Sequence, residues 1–193
     1  LASNGLSRKS IARKLAALKS FGKYLVSRNV IERSPAADVR TPKIEKSEPV
    51  FLSGKEIERL FGIPVGDDML SHRNRAILEL FYSTGMRLSE LPALDMDSVD
   101  FFEGVVKVHG KGDKQRILPV GKKASTALKH YFPFRDSVLL EKGRIGQRAL
   151  FISRLGNRLG KRMVQIAVVK HLRTVSEKEH LSPHVLRHTF ATH

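Results

Sequence analysis

Residues 105–120 read VVKVHGKGDKQRILPV. Val105, Val106 and Val108 form one apolar run, and Ile117, Leu118 and Val120 form a second. Between them lies Gly110-Lys111-Gly112-Asp113. Two short apolar runs separated by a glycine-rich turn are the pattern of a β-hairpin. Its tip is basic as well as glycine-rich. Outside this stretch the periodicity is helical. Upstream, a helix is expected over about 71–84, with Ile77, Leu78, Leu80 and Phe81 buried. Gly85 ends it, and a short helix follows over about 88–93. Downstream, helices are expected over about 122–131, 160–177 and 183–193. The fold class is mainly α with a small antiparallel β-sheet, an α+β arrangement. No internal repeat is visible.

Further toward the N-terminus, Ser53-Gly54-Lys55-Glu56 is a capping box that starts a helix over about 53–61. Before it, RTPKIEKSEP at residues 40–49 carries two prolines, mixed charge and no hydrophobic period, which is linker composition. The boundary falls near residue 48. The expected division is a helical region over 1–41, a linker over 42–49 and a second domain over 50–193. In the first region Ser7 caps a helix reaching about Arg28, with Ile11, Leu15, Leu18 and Leu25 on one face and Lys9, Arg13 and Lys23 away from it. One helix cannot bury its own apolar face, so its partners lie in other segments. Ser34-Pro35-Ala36-Ala37 reads as a short helix start.

The charge narrows the function. Lys and Arg number 35 against 19 Asp and Glu, a formal net charge of +16 over 193 residues. Such an excess points to a polyanionic partner. The plainer reading is a basic protein kept soluble by its charge. No apolar run approaches the roughly 18 residues that a membrane span requires, and no signal-peptide pattern opens the chain. The absence of cysteine excludes disulfides, thiolate catalysis and Cys-based zinc sites, and suits the cytoplasm. A 7% aromatic content without Trp argues against a base-stacking single-strand binder. Leu1 at the start, and Ala191-Thr192-His193 inside a helical pattern at the end, suggest a piece of a longer protein.

Several residues carry chemistry. Arg87 follows the Gly85 break, which can present a side chain into a cleft; the plain alternative is an ion pair with Glu90, three residues on. Lys111 stands between glycines that let backbone approach a phosphate closely, although a turn lysine is usually just solvated. Ser182-Pro183 is an N-cap with proline at the first helical position. His184 and Arg187 then share a face one turn apart, a pair able to hold a phosphate and handle a proton. Read alone, His184 is equally a partly buried capping histidine. His184 and His188 have a metal-capable spacing, but no acidic residue of the HExxH kind and no third ligand accompanies them, so no metal is expected.

Three segments in order, STGMRLSELPAL at 83–94, HGKGDKQRILP at 109–119 and HVLRHTFAT at 184–192, resemble the tyrosine recombinase, or phage integrase, family, and most nearly its Xer-type members. The resemblance runs from about residue 7 to the end. It implies a DNA-breaking-rejoining catalytic domain over 50–193 and a partial core DNA-binding domain over 1–41, closing as a clamp on duplex DNA. It implies site-specific recombination through a 3′-phosphotyrosine bond, as in chromosome dimer resolution or integration. Four protomers would act on two inverted-repeat sites, in the cytoplasm at the nucleoid, with neither metal nor ATP. Arg87 and Arg187 would clamp the scissile phosphate, Glu90 would orient Arg87, and His184 would bind phosphate and move protons. Lys111 would protonate the leaving 5′ oxygen, with Lys114 and Arg116 as weaker rivals for that task. His188 would pack or hydrogen-bond at the back of the site. Lys9, Arg13, Lys23, Lys114 and Arg116 are candidate DNA contacts.

The sequence departs from the family in one important way. The family's nucleophilic tyrosine follows the histidine–arginine segment, and nothing here occupies that place. Tyr24 on the first helix, Tyr82 in the helix before Arg87 and Tyr131 at a helix end read as core or boundary residues. The first region also looks like half of the usual helical bundle. The main alternative is a non-catalytic DNA-binding protein on the same fold. A basic RNA-binding protein is the other, and it would have no need of Arg87, Lys111, His184 and Arg187 in this order.

Overall fold

The computed structural model describes residues 5–43, 51–110 and 115–192. Most of the expected linker, the hairpin tip with Lys111 and Lys114, and His193 lie outside the described residues. The chain divides into two compact units, Leu1–Glu48 and Pro49–His193.

In the first unit, α1 spans Arg8–Ser27, and Ser7 accepts a hydrogen bond from the Ser10 amide as its N-cap. Gly22 packs tightly against Ser34, where a Cβ would collide with the serine side chain. The apolar stripe is only partly covered: Leu15 is buried, Ile11 and Leu25 are half-buried, and Leu18 and Phe21 are exposed. Among the described residues of this unit, the 30–43 segment lies against one side of the helix, with Ser34 set on Gly22. Ser34–Ala37 forms a turn, closed by the Ala37 amide on the Ser34 carbonyl, and not the helix start that Pro35 suggested. Tyr24 is exposed, under the Arg28 guanidinium, rather than a core residue. Lys9, Arg13 and Lys23 are all exposed.

The second unit holds the core. Its helices are α2 (Gly54–Gly62), α3 (Met69–Thr84), α4 (Lys122–Glu141), α5 (Lys161–Arg173) and α6 (Pro183–Thr192). A three-stranded antiparallel sheet in the order β1-β2-β3 consists of Val99–Asp100, Val105–His109 and Gln115–Pro119. β1 is too short to leave a period in the sequence. The expected helix at 88–93 is a turn and a 3-10 segment at Leu91–Ala93. Helix α4 continues well beyond residue 131, through Pro133, because Tyr131, Arg135 and Leu139 are buried along one side of it. Tyr131 is therefore a central core residue rather than one at a helix end. Its hydroxyl accepts from the Ile152 amide at 3.1 Å, and burial pushes its pKa up to about 12.

Two buried arginines satisfy backbone carbonyls that the irregular 144–159 segment leaves open. Arg73 donates to Ile152, and Arg135 donates to Ala149 and Gln147. Such charges are tolerated inside because their donors are used. No described helix is long and apolar enough to cross a membrane.

α2 opens on the expected capping box, with the Glu56 amide donating to Ser53 and the Ser53 amide to the Glu56 carboxylate. Glu56 also accepts from Lys178 at 2.7 Å. Burial disfavours its charge, but hydrogen bonds from Lys178, Ser176 and Ser53 outweigh that and lower its pKa to about 2. A depressed folded-state pKa contributes stability above the unfolded value and loses it as pH falls toward the folded one. Stability is thus expected to drop between about pH 4.5 and 2 by roughly 2 kcal/mol from this group, after discounting for the partly exposed lysine. Urea midpoints of wild type and Glu56→Gln should differ at pH 6, and the gap should narrow steadily as pH falls toward 2; an equal gap at pH 6 and near pH 2 would refute this assignment.

Candidate active site

Gly85 is where α3 must stop. It caps the helix in the left-handed region at φ 55°, and its amide donates to the Phe81 carbonyl. The chain then turns so that Arg87 leaves the helix line. The Arg87 amide donates to Glu90 Oε2 at 2.7 Å and its guanidinium to Glu90 Oε1 at 3.1 Å. Glu90 is 3% exposed, while the Arg87 side chain is 53% exposed and free to meet a ligand on its outer side. The plain alternative reading of Arg87, an ion pair with Glu90, is therefore also present, and the two are compatible.

From the far end of the sequence, α6 brings Arg187 back to the same turn. Its guanidinium donates to the Gly85 carbonyl at 2.5 Å, across 102 residues of chain. Thr189, fully buried, accepts from the Leu52 amide at 2.9 Å and donates to the Val185 carbonyl, which ties α6 to the entry of α2. Gly85 thus serves twice, as a left-handed cap and as an anchor for Arg187. A Cβ there would lie 2.5 Å from the Phe190 ring. Gly85→Ala is expected to cost roughly 1–3 kcal/mol, from left-handed strain together with displacement of Phe190. A urea midpoint unchanged by the substitution would contradict this.

Arg87, His184 and Arg187 line one open cleft of about 390 Å³, together with Ser89, Lys161 and Gln165. No acidic side chain is among the described residues lining it. The first turn of α6 and the first residue of α5 both border it, so two positive helix ends add to three cations. The arrangement suits a phosphate diester: forked donors on two sides, a histidine within the same wall, and open access for a long polymer. Among the described residues no group of three metal-binding side chains occurs.

Of the residues singled out from sequence, Arg87, His184 and Arg187 share this cleft, with Glu90 behind Arg87. His188 is exposed and does not line it. Arg116, half-buried, donates to Glu90 at 2.7 Å. Lys9, Arg13 and Lys23 belong to the first unit. None of the three tyrosines lines the cleft; Tyr82 is half-buried against the Phe61 ring. Sequence reading missed Lys161, Gln165 and Ser89. A signal existed for Lys161: a cation in the first turn of a helix opposes the helix dipole unless an anion is nearby.

Fold and cleft together define a class: a mainly helical domain with a small antiparallel sheet, in which two arginines distant in sequence line one cleft. Residues 50–193 match the model of the phage integrase family, and the chain belongs to that family. It is 42% identical over 190 residues to the tyrosine recombinase XerC of Thermodesulfovibrio yellowstonii, covering 98% of this chain and 63% of that one. The chain therefore spans somewhat under two thirds of the length of that curated relative. The crystal structure of XerA recombinase is similar at TM-score 0.63 and 26% identity, over 93% of this chain and 60% of that one. The integrase of transposon Tn1549, solved in complex with circular intermediate DNA, shares the fold at TM-score 0.69 and 20% identity, over 99% of this chain and 67% of that one.

Proposed function

We propose that this chain is the greater part of a Xer-type site-specific DNA recombinase that cuts and rejoins strands through a 3′-phosphotyrosine intermediate. The observation that carries the reading is the convergence of Arg87, His184 and Arg187 on one cation-lined cleft from segments about a hundred residues apart. In this reading the two guanidinium groups hold the non-bridging oxygens of the scissile phosphate. Both gain as negative charge builds on those oxygens during attack, which is how fixed donors lower a barrier. Glu90 holds Arg87 in place. His184 binds the phosphate and assists proton movement. Lys111 gives a proton to the departing 5′ oxygen. Lys9, Arg13, Lys23 and Lys114 contact the DNA backbone.

The attacking group is a tyrosine of the parent protein outside residues 1–193. Its oxygen forms a bond to phosphorus as the bond to the 5′ oxygen breaks, and a later attack by a 5′ hydroxyl reverses the exchange. The bond energy is conserved, so the chemistry proceeds without ATP or metal. The partners are duplex DNA with an inverted-repeat site and further protomers, four on two sites, in the cytoplasm at the nucleoid. Chromosome dimer resolution fits the similarity to XerC proteins.

A nicked duplex that loses its short 5′ fragment on cleavage traps the covalent intermediate. Full-length protein should give a 3′-linked adduct in the presence of a chelator, and residues 1–193 alone should bind without forming one. If the full-length protein binds the duplex and never forms an adduct, the non-catalytic DNA-binding reading takes its place.

A further inference from the structure

The Glu90 carboxylate is shared by two arginines from different parts of the fold. Arg87 donates its backbone amide to Oε2 and its guanidinium to Oε1, and Arg116 donates its guanidinium to Oε2 at 2.7 Å. Strand register explains how Arg116 arrives there. Arg116 pairs with Val108, and Leu118 with Val106, so Arg116 lies on the face of the hairpin whose valines are buried in the core. The neighbouring Ile117, on the opposite face, is 63% exposed. Arg116 thus shares the core-facing side of β3 with Leu118, and it ends on the buried Glu90 behind Arg87.

The charges decide what this arrangement does. A buried Glu90 paired with Arg87 alone would form a neutral ion pair and leave little field for a phosphate. A second guanidinium on the same carboxylate brings the cluster to a net charge of +1, from two arginines and one glutamate. Charges at contact distance in a partly desolvated setting act strongly on one another. Arg87 then keeps its geometry from Glu90 without having its charge cancelled.

We propose that Arg116 is a positioning residue that acts through Glu90: it balances the carboxylate so that Arg87 presents uncompensated positive charge to the scissile phosphate. This rests on the recombinase reading above. It gives Arg116 a role distinct from the DNA contact and the proton donation considered from sequence.

The test uses full-length protein on the nicked duplex, with Arg116→Ala, Arg116→Lys, Glu90→Gln and the Arg116→Ala/Glu90→Gln double variant. The readouts are the single-turnover rate of adduct formation at saturating protein and, separately, DNA affinity. Arg116→Ala should slow adduct formation roughly 10- to 100-fold, less than the loss of a direct donor, while affinity changes by less than about threefold. Arg116→Lys should recover most of the rate. The double variant should be faster than Arg116→Ala, because removing the carboxylate charge frees Arg87; a merely structural role predicts a double variant as slow or slower. On a duplex with a neutral methylphosphonate at the cleavage position, the gap between wild type and Arg116→Ala should close. This last comparison can be made with Arg116→Lys if the alanine variant does not fold, Arg116→Lys then showing a small gap on phosphate and none on methylphosphonate. Wild-type protein that forms no adduct would remove the recombinase reading. An active wild type with an unaffected Arg116→Ala, or a double variant no faster than the single, would overturn this inference alone.

Discussion

Arg187→Ala in the full-length protein is expected to lower the rate of covalent-adduct formation by roughly 10²- to 10³-fold, the range seen when a single preorganised donor to a developing oxyanion is removed. Two features of its setting support an effect of that size. The guanidinium is held by the Gly85 carbonyl, so little conformational freedom is lost when it meets a phosphate. It also stands in a cleft whose described lining offers no competing carboxylate. Folding should be affected much less, because Arg187 is only partly buried and the core contacts of α6 come from Val185, Leu186 and Thr189. The measurement is single-turnover trapping on the nicked duplex, with circular dichroism as the control for folding. A variant that keeps its fold and forms adduct within about threefold of wild type would remove Arg187 from the phosphate clamp.

Duplex DNA binding should be equally sensitive to salt. Each neutralised phosphate contributes about −0.9 to the slope of log affinity against log salt, so about six contacts give a slope near −5 and a roughly 10³-fold loss between about 50 and 200 mM. The net charge of +16 makes several contacts reasonable. Substituting Lys161 at the cleft edge should reduce the steepness by about one contact, whereas substituting Arg116, which is turned inward to Glu90, should leave it nearly unchanged. An affinity that hardly responds to salt would mean that the excess charge serves something other than the DNA backbone.

The two expectations differ in what they needed from the structure. The salt dependence follows from composition alone. The Arg187 effect needed the fold, because nothing in the local sequence around HVLRHTFAT says where STGMRLSEL lies in space. The resemblance to the phage integrase family supplied that link as an expectation, and the structure supplies the hydrogen bond to Gly85.

Local signals in this chain were strong wherever a chemical device leaves a mark in a few residues. The Ser53/Glu56 capping box, the left-handed Gly85, the hairpin flanking Lys111 and the Ser182-Pro183 helix start are all of this kind, and each appears where its residues indicate. Propensity failed where tertiary packing overrode it. Pro133 removes only one donor from α4, and the buried side of that helix more than offsets the loss. Ser34–Ala37 had a helix-like start, yet it closes as a single turn with Ser34 set against Gly22 of α1. For α1, the expected apolar stripe exists in the sequence, yet Leu18 and its neighbour Phe21 remain exposed, because the described residues of the unit cover only part of the helix.

The sequence by itself determined most of the element types and the chain's strongly positive charge, and it singled out Arg87, His184 and Arg187 as candidates to hold a phosphate, because periodicity, turn chemistry and net charge are properties of neighbouring residues and of sums. Only the tertiary structure decided which of them meet. Arg87 and Arg187 converge because α6 packs back onto the Gly85 turn. Lys161 joins them because α5 begins beside α6. Arg116 meets Glu90 because the two-residue alternation of β3, read against a buried partner strand, sets it on the same face as the buried Val106 and Val108. Contacts between distant segments depend on how the core fills, and that is fixed by the packing of all the buried side chains together rather than by any single stretch of chain.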